Sequence, residues 1–241
     1  MPAESAIVVV PTYNERENIG NLVKAICDLP VPVDVLIVDD NSPDGTGEIA
    51  DQLSRNYPER VFVLHRPSKE GLGRAYVAAF QYVLKNFSHP FILQMDSDLS
   101  HPPSFIPDFL KAIGNADLVL GSRYLDGVHV VNWDFRRLML SRSGNRYARF
   151  VTGMPFTDLT GGFKCWRREA LQALPYESIF SMGYVFMVET TYRTWKARRF
   201  RITEIPITFY ERNLGSSKIA ANIIFEAFLG VIRLRFTRQL R

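Results

Sequence analysis

Two carboxylates one residue apart, Asp96 and Asp98, directly follow an apolar run at residues 91–95. In an extended chain, residues i and i+2 point to the same side, so both side chains can converge on one small cation. Carboxylate oxygens are hard ligands suited to Mg²⁺ or Mn²⁺, which often complete their coordination with substrate phosphates and water. The spacing therefore predicts a metal–diphosphate site, and a polar turn after a strand is the structural alternative.

Polar clusters also follow two earlier apolar runs. Residues 12–15 come after a β-branched run that is expected to end at Pro11, and residues 39–44 close a second apolar run. In a parallel sheet, ligands bind beyond the carboxyl ends of the strands. Three polar clusters at such positions favour the catalytic interpretation of the two aspartates over the polar turn.

The apolar periodicity of the chain predicts alternating strands and helices. Strands are expected at residues 6–10, 34–40, 61–64, 91–95, 118–120, 163–166 and 202–209. Apolar residues at helical spacing follow the first four of these runs. This alternation with short connections implies a three-layer α/β fold with a mostly parallel central sheet. Pro206 cannot donate a ladder hydrogen bond, so the last strand is expected at a sheet edge.

No glycine-rich phosphate loop accompanies these strands. The first strand is followed by Pro-Thr-Tyr-Asn-Glu rather than Gly-x-Gly-x-x-Gly, and the sequence contains no Gly-x-x-x-x-Gly-Lys-Ser/Thr stretch. Because such loops bind pyrophosphate through their backbone amides, a diphosphate here must be neutralised chiefly by a metal and by basic side chains.

Two basic segments in the second half of the chain each allow two interpretations. The first segment interleaves apolar residues with Arg136, Arg137, Arg142, Arg146 and Arg149. It is either a solvated helix face or a wall that receives an anion carried on an apolar tail. The second, residues 219–241, combines apolar bulk with a basic end. It is either a helix at a membrane interface or a terminal helix packed on its own domain or on a partner.

Composition narrows the class of protein only in part. A net charge of +4 and a pI of about 9.1 are compatible with anionic substrates, an acidic membrane surface or nucleic acid. Nucleic acid is disfavoured because the basic residues cluster with aliphatic side chains rather than with stacking aromatics. Two distant cysteines, no signal-peptide pattern and no apolar run of about 18–20 residues predict a cytoplasmic chain that does not itself span a bilayer.

Several motifs, taken in order, resemble those of a known enzyme family. They are Pro11-Thr12-Tyr13-Asn14-Glu15, Ile37-Val38-Asp39-Asp40-Asn41-Ser42-Pro43-Asp44-Gly45-Thr46, Gly71-Leu72-Gly73, Met95-Asp96-Ser97-Asp98-Leu99-Ser100-His101, Gly121-Ser122-Arg123-Tyr124 and Ser217-Lys218. The chain is similar to dolichyl- or polyprenyl-phosphate mannose synthases, which are family 2 glycosyltransferases with the nucleotide-sugar (GT-A) fold. The resemblance extends from about residue 6 to about residue 220.

The resemblance implies a role for each matching residue. The nucleotide sugar would be bound by Pro11, Tyr13, Glu15, Val38, Asp39, Asp40, Asp96, Ser97, Asp98, Arg123, Arg212 and Lys218. The acceptor phosphate would be bound by Arg123, Arg137 and Ser141. The catalytic residues would be Asp96, Asp98 and Arg123. The metal, Mg²⁺ or Mn²⁺, would be bound by Asp96, Asp98 and Ser100, where the serine replaces a glutamine found in some members of the family.

The same resemblance implies how the chain is organised. A GT-A domain would cover residues 1–218, with an acceptor-binding segment at about residues 122–160. Beyond the resemblance, the composition of residues 219–241 predicts an amphipathic helix that contacts a membrane or a partner. Several relatives carry transmembrane helices after the catalytic domain. The chain resembles a shorter type, held at the cytoplasmic face of a membrane peripherally or by an anchoring partner subunit.

The expected reaction is transfer of mannose from GDP-mannose to a polyprenyl (dolichyl-type) phosphate, with inversion at the sugar carbon. A phosphate monoester is largely dianionic near neutral pH, because its second pKa is about 6. It therefore needs cations to position it rather than a general base, and the four histidines share no catalytic spacing. Two alternatives stay open: a polyprenyl-phosphate glucosyltransferase that uses UDP-glucose, and a non-catalytic membrane-associated subunit.

Overall fold

The computed structural model describes residues 5–211 and 221–236. Its strands are β1 (Ala6–Thr12), β2 (Val33–Asp39), β3 (Val61–His65), β4 (Phe91–Gln94), β5 (Leu118–Ser122), β6 (Val130–Val131), β7 (Lys164–Arg167), β8 (Ile202–Pro206) and β9 (Phe209–Tyr210). Its helices are α1 (Ile19–Cys27), α2 (Thr46–Asn56), α3 (Leu72–Asn86), α4 (Ile106–Ile113), α5 (Phe135–Thr152), α6 (Arg168–Gln172), α7 (Val185–Lys196) and α8 (Ala221–Phe236). From β1 to β5 strands and helices alternate, as the apolar periodicity predicts.

Among the described residues, seven strands form one sheet in the order β3-β2-β1-β4-β7-β5-β8. β1 is parallel to both β2 and β4, and the pairs β2–β3 and β5–β8 are also parallel. β7 runs antiparallel to both of its neighbours, β4 and β5. The expected α/β class with a mostly parallel central sheet is confirmed. Because β1, β2 and β4 are adjacent, the polar clusters that follow them meet at one edge of the sheet.

Helices cover both faces of this sheet, because successive residues of a strand point to opposite sides. Ile7 and Val9 belong to a buried cluster that contains Tyr76 and Phe80 of α3. Val8 belongs to a second cluster on the other face, formed with α1 and α4. Full burial of one such side chain stabilises the fold by about 1.5–3 kcal/mol. The result is the expected three-layer sandwich.

The first strand continues through Pro11, so the prediction that it ends there is wrong. Pro11 pairs with Val38 of β2, and β1 ends at Thr12. The ladder between β1 and β4 stops at Val9, so beyond that residue β1 has a strand partner on one side only. Proline is tolerated there, as in an edge strand, because a residue without a strand partner on one side needs no backbone N–H for a ladder hydrogen bond on that side.

The single strand expected at residues 202–209 is instead two strands in two sheets. β8 lies at the edge of the large sheet, as expected, and ends at Pro206, which has no backbone N–H with which to continue the ladder. The chain then turns, and β9 pairs with β6 in a small parallel sheet. Tyr210 N donates to Ser100 O (3.1 Å), which fixes this small sheet beside the two aspartates.

Candidate active site

A cleft of about 790 Å³ opens beyond the carboxyl ends of β1, β4 and β5. Seven of the predicted site residues line it together: Tyr13, Glu15, Asp96, Asp98, Arg123, Arg137 and Ser141. They form the polar part of the cleft. The apolar part is lined by Leu140, Tyr147, Val185, Val188, Phe228 and Val231. Carboxylates, guanidinium groups and hydrocarbon thus share one cavity.

The two aspartates lie just past the end of β4. Ser100 fixes Asp98 by donating its backbone N–H (3.1 Å) and its hydroxyl (2.5 Å) to Asp98 Oδ1, but Ser100 itself is buried and does not line the cleft. A Cβ on Gly162 would lie 3.1 Å from Asp96 Oδ1, so glycine leaves space beside that carboxylate.

This donor set fits a divalent cation that arrives with a diphosphate. Mg²⁺ and ions of similar preference are commonly bound through one or two carboxylates, with substrate phosphates and water as the other ligands. The described residues contain no group of three or more His, Cys, Asp or Glu side chains that could hold a metal. Asp96 and Asp98 would therefore supply the protein's carboxylate ligands, and substrate and water would supply most of the rest.

His101 supports the aspartate loop from the protein interior. Its Nδ1 accepts a hydrogen bond from the Asp96 backbone N–H (3.2 Å), and its ring packs between Phe163 and Phe209. Burial lowers the pKa of His101, which favours the neutral ring that can accept this bond. No role was predicted for His101 from the sequence, because the four histidines share no catalytic spacing. His101 does belong to the same motif as the two aspartates, and this was the available signal.

Arg123 is fixed at the end of β5 by a carboxylate that the sequence did not identify as part of the site. Its Nε and Nη2 donate to Asp158 Oδ2 and Oδ1 (2.6 and 2.8 Å), and Nη2 also donates to Thr160 Oγ1 (2.8 Å). Burial alone would raise the pKa of Asp158, but Arg123 and nearby backbone amides lower it below its usual value. The carboxylate therefore stays charged at neutral pH, and among residues 5–211 and 221–236 the two N–H groups on Arg123 Nη1 have no hydrogen-bond acceptor, which leaves them for a ligand.

Arg137 and Ser141 lie four residues apart on α5, and this spacing places both on one face of the helix. Arg137 Nη1 donates to Glu211 Oε1 (2.8 Å), and its guanidinium lies 4.5 Å from the centre of the Trp133 ring. Tyr124 donates its hydroxyl to Ser141 Oγ (2.7 Å). Both predicted acceptor residues are thus positioned by neighbours at the rim of the cleft.

The other arginines of this basic segment are exposed and do not line the cleft: Arg136, Arg142, Arg146 and Arg149. The solvated-face interpretation is confirmed for these four residues, and receipt of an anion by Arg137 stays a prediction. Most of its arginines form a solvated face, whereas Arg137 faces the cavity.

Tyr13 and Glu15 follow β1 and lie beside a lysine that was not predicted. Lys69 Nζ lies 3.7 Å from the centre of the Tyr13 ring, and Lys69 also lines the cleft. Glu15 accepts a hydrogen bond from Asn18 Nδ2 (2.8 Å). An aromatic face, a carboxylate and an ammonium group together suit a base, a ribose and a phosphate.

Five residues predicted to bind the nucleotide are not in the lining of the cleft: Pro11, Val38, Asp39, Asp40 and Ser97. The side chain of Val38 is fully buried in the core. Asp39 accepts hydrogen bonds from Ser42 N and Oγ and so fixes the turn after β2. Asp40 pairs with Arg66 (2.5 Å); burial raises the pKa of Asp40 although Arg66 opposes the shift. Two further predictions, Arg212 and Lys218, lie outside the described residues.

The apolar part of the cleft is built by three helices. Tyr147 of α5 stacks on Phe228 of α8, with ring centroids 4.7 Å apart, and donates its hydroxyl to Phe228 O (2.9 Å). Gly230 of α8 lies so close to Val185 of α7 that a Cβ would meet Val185 Cγ2 at 3.0 Å. α8 therefore packs on the domain and completes one wall of the cleft.

The same helix also exposes apolar side chains. Leu229 is 49% exposed and Phe236 is 79% exposed, whereas Val231 and Leu234 are buried. α5 likewise exposes Phe135. Along the described ranges, no helix has both the length and the apolar character that crossing a membrane requires.

Lys164 of β7 carries a buried amine beneath the cleft. Its Nζ donates to Met187 O (2.7 Å) and Thr191 Oγ1 (2.9 Å), and burial lowers its pKa from 10.5 to about 7. Between these two pH values the unfolded chain binds more protons than the folded chain. The contribution of Lys164 to stability therefore rises with pH from about 7 to 10.5.

The change Lys164→Met should remove the part of the pH dependence of stability that is due to Lys164. The wild-type free energy of unfolding should rise relative to that of Lys164→Met by up to about 1.4 kcal/mol per pH unit. Urea unfolding of both proteins at several values between about pH 7.5 and 9.5 measures the difference. Parallel curves would show that the buried amine keeps an ordinary pKa.

Comparison with known proteins shows that the chain is similar to sugar-transferring enzymes. Residues 7–174 match the family described as Glycosyl transferase family 2. Polyprenol monophosphomannose synthase of Mycolicibacterium smegmatis is 43% identical over 95% of this chain and 86% of its own. Undecaprenyl-phosphate mannosyltransferase of Micrococcus luteus is 43% identical over 94% of this chain and 92% of its own.

Two solved structures share the fold. Glucosyl-3-phosphoglycerate synthase from Mycobacterium tuberculosis, in complex with Mn²⁺, UDP-glucose and phosphoglyceric acid, has a TM-score of 0.72 and 17% identity over 98% of this chain and 81% of that one. Mannosyltransferase PcManGT from Pyrobaculum calidifontis, in complex with GDP-Man and Mn²⁺, has a TM-score of 0.61 and 17% identity over 92% of this chain and 60% of that one. The expected GT-A fold is thereby confirmed.

Proposed function

The chain belongs to glycosyl transferase family 2, and we propose that it transfers mannose from GDP-mannose to a polyprenyl phosphate with inversion at the sugar carbon. The observation that carries the proposal is the two-part cleft, in which carboxylates and arginines adjoin an apolar wall on three helices. Both named relatives at 43% identity are mannose-transferring enzymes that use a polyprenol or its phosphate. Such an acceptor is an anion attached to a long hydrocarbon.

For the donor, Asp96 and Asp98 would hold Mg²⁺ or Mn²⁺. When bound, the ion would neutralise the charge that develops on the departing diphosphate. Two solved structures that share the fold contain Mn²⁺ and a nucleotide sugar, which supports a divalent cation as the bound ion. Tyr13 and Glu15 would bind the nucleotide within the cleft, and Arg212 and Lys218, from the sequence resemblance, would contact the diphosphate.

For the acceptor, Arg123, Arg137 and Ser141 would bind the phosphate. Guanidinium groups bind phosphate through forked, charge-assisted hydrogen bonds. A dianionic phosphate oxygen is already nucleophilic, so the work of these side chains is to hold it in line with the sugar carbon. In the neutral His101 ring, Nδ1 already accepts the bond from the aspartate loop and Nε2 carries the proton, so we assign this histidine as a support and not as a general base.

A donor screen tests the proposal. Wild-type protein is incubated with a polyprenyl phosphate, Mg²⁺ or Mn²⁺, and labelled GDP-mannose, UDP-glucose or GDP-glucose, and label is followed into the organic phase. We expect label from GDP-mannose only, loss of transfer with a chelator, and a product of inverted anomeric configuration. Transfer from UDP-glucose alone would establish the glucosyltransferase alternative, and no transfer from any donor would favour the non-catalytic subunit.

The change Arg137→Ala should weaken use of the acceptor and spare the donor. One charge-assisted hydrogen bond is worth about 1.5–3 kcal/mol, so the KM for polyprenyl phosphate should rise by roughly tenfold or more. Affinity for GDP in the presence of Mn²⁺, measured by calorimetry, should be unchanged. Arg136→Ala, one residue earlier and outside the cleft lining, is the matched control. Equal losses in both substrates would remove Arg137 from the acceptor site.

We also propose that α8 contacts the membrane surface through its exposed apolar side chains. The double change Leu229→Glu with Phe236→Glu should lower association with anionic liposomes several-fold, since it places two charges on this exposed surface. Activity on a detergent-dispersed short acceptor should persist, because neither residue lines the cleft. Gln81→Glu, an exposed change on α3, controls for added charge. Undiminished liposome binding would point instead to an anchoring partner or another surface.

A further inference from the structure

The indole N–H of Trp133 is buried and has no hydrogen-bond partner among the described residues. An indole N–H is a donor only, and leaving a buried donor unsatisfied is costly enough to be rare in folded proteins. Trp133 also lines the polar part of the cleft. An unsatisfied donor at this position requires an explanation.

Three of the groups that contact the ring cannot accept this hydrogen bond. The guanidinium of Arg137 lies 4.5 Å from the ring centre and that of Arg123 lies 5.5 Å from it. The third neighbour is the ring of Phe209, edge-on at 5.3 Å. Guanidinium groups have no acceptor and phenylalanine has no polar atom. The missing partner is therefore an acceptor, and two adjacent cations favour an anionic one.

The backbone holds Trp133 at this place. Asn132 adopts a left-handed conformation (φ 64°), which non-glycine residues rarely do and which tends to occur at functional sites. Asp134 follows as the N-cap of α5, with its side chain accepting the Arg137 backbone N–H (2.8 Å). The indole is thus presented by a turn fixed on both sides, between β6 and α5.

We propose that Trp133 is a third member of the acceptor-phosphate site and donates its N–H to a phosphate oxygen of the polyprenyl phosphate. This inference rests on the proposed function. A phosphate monoester offers three acceptor oxygens, enough for the two guanidinium groups and the indole together. The ring has a second part in the same site, because a cation over its face is attracted by the π electrons and Arg137 is held next to the phosphate.

The indole proton provides a direct test. The chain contains three tryptophans, so protein labelled with ¹⁵N at the indole nitrogen should give three resolved N–H signals, and Trp133→Phe identifies the one that disappears. We expect farnesyl phosphate to shift the Trp133 signal downfield, and farnesol, which lacks the phosphate, to leave it in place. Trp166 donates to Gln94 Oε1 (2.9 Å) in the core and serves as the internal reference. A Trp133 signal that ignores farnesyl phosphate, or responds equally to farnesol, overturns the proposal.

Kinetics provide the second readout. Trp133→Phe keeps an aromatic face for Arg137 but removes the donor, so the KM for the acceptor should rise about tenfold while GDP affinity is unchanged. An unchanged acceptor KM, or a loss shared equally by donor and acceptor, overturns the proposal. The proposed function is judged separately on wild-type transfer. If wild type transfers mannose and Trp133→Phe has the same KM, only the role of Trp133 is wrong.

Discussion

Replacing Asp98 by alanine is expected to lower mannose transfer by about a hundredfold to a thousandfold, a size typical of removing one strong stabiliser of transition-state charge. The carboxylate lines the cleft and would hold the cation that neutralises the leaving diphosphate. It accepts two hydrogen bonds from Ser100, and their loss is the stability cost expected of the change. The free energy of unfolding should therefore fall by only about 1–3 kcal/mol.

Transfer of label from GDP-mannose into the organic phase and a urea unfolding curve measure the two effects of Asp98→Ala. Asp28→Ala is the matched control, since Asp28 is an exposed carboxylate paired with Lys24 outside the cleft. A variant at position 98 that keeps a tenth or more of normal turnover would show that this carboxylate does not hold the metal. A large loss of stability would show that its role is structural.

The second large effect is expected at the buried pair of Arg123 and Asp158. Removing one partner leaves an uncompensated charge in the interior, which typically costs about 3–5 kcal/mol of stability. Arg123→Met should show this loss, because both side chains are buried and joined by two direct hydrogen bonds. Transfer should also be abolished, since the N–H groups proposed for the acceptor phosphate are removed with the guanidinium.

A double variant separates stability from function at this pair. Arg123→Met combined with Asp158→Leu removes both charges, and replacing a whole buried ion pair by apolar residues is often neutral or stabilising. We expect at least half of the lost free energy of unfolding to return, with no return of transfer. If transfer returned with stability, Arg123 would be a structural residue only. If stability did not return, the remaining loss would be due to the backbone amides that Asp158 binds, because the double variant leaves them without an acceptor.

Much of the fold was predictable because the relevant signals are local. Short β-branched runs, helical apolar spacing and polar residues at the ends of those runs depend on neighbours within about ten positions. They were sufficient for the α/β class and for the meeting of Asp96, Asp98 and Tyr13 at one edge of the sheet. The family resemblance added Arg137 and Ser141, whose shared helix face the structure then places in the cleft.

What local pattern could not predict depends on contacts between distant parts of the chain. Asp158 binds Arg123 across 35 positions, and Arg137 meets Glu211 across 74. The antiparallel direction of β7 was not predicted either, since four residues of strand carry no sign of orientation. Asp158 lies in the stretch Asp158-Leu159-Thr160-Gly161-Gly162, whose glycines indicate a turn. A carboxylate shortly before two glycines was the one local signal that could have pointed to this residue.

Two interpretations left open by the sequence are compatible with one another in this structure. Residues 219–241 were expected either to pack on the domain or to lie at a membrane. α8 does pack, through Val231 and Leu234, yet it leaves Leu229 and Phe236 exposed. A single helix can bury one stripe and present another, so the two interpretations were never exclusive.

The position of β7 between β4 and β5 has a consequence for how the chain is made. During synthesis the strands β3, β2, β1 and β4 emerge first and can associate as they leave the ribosome. β5 emerges before β7, yet it has no place beside β4 until β7 arrives, and α5 is translated in the interval. A nascent polypeptide halted before Lys164 would therefore carry half a sheet with an open edge, a species for chaperones to shield until the last strands are delivered.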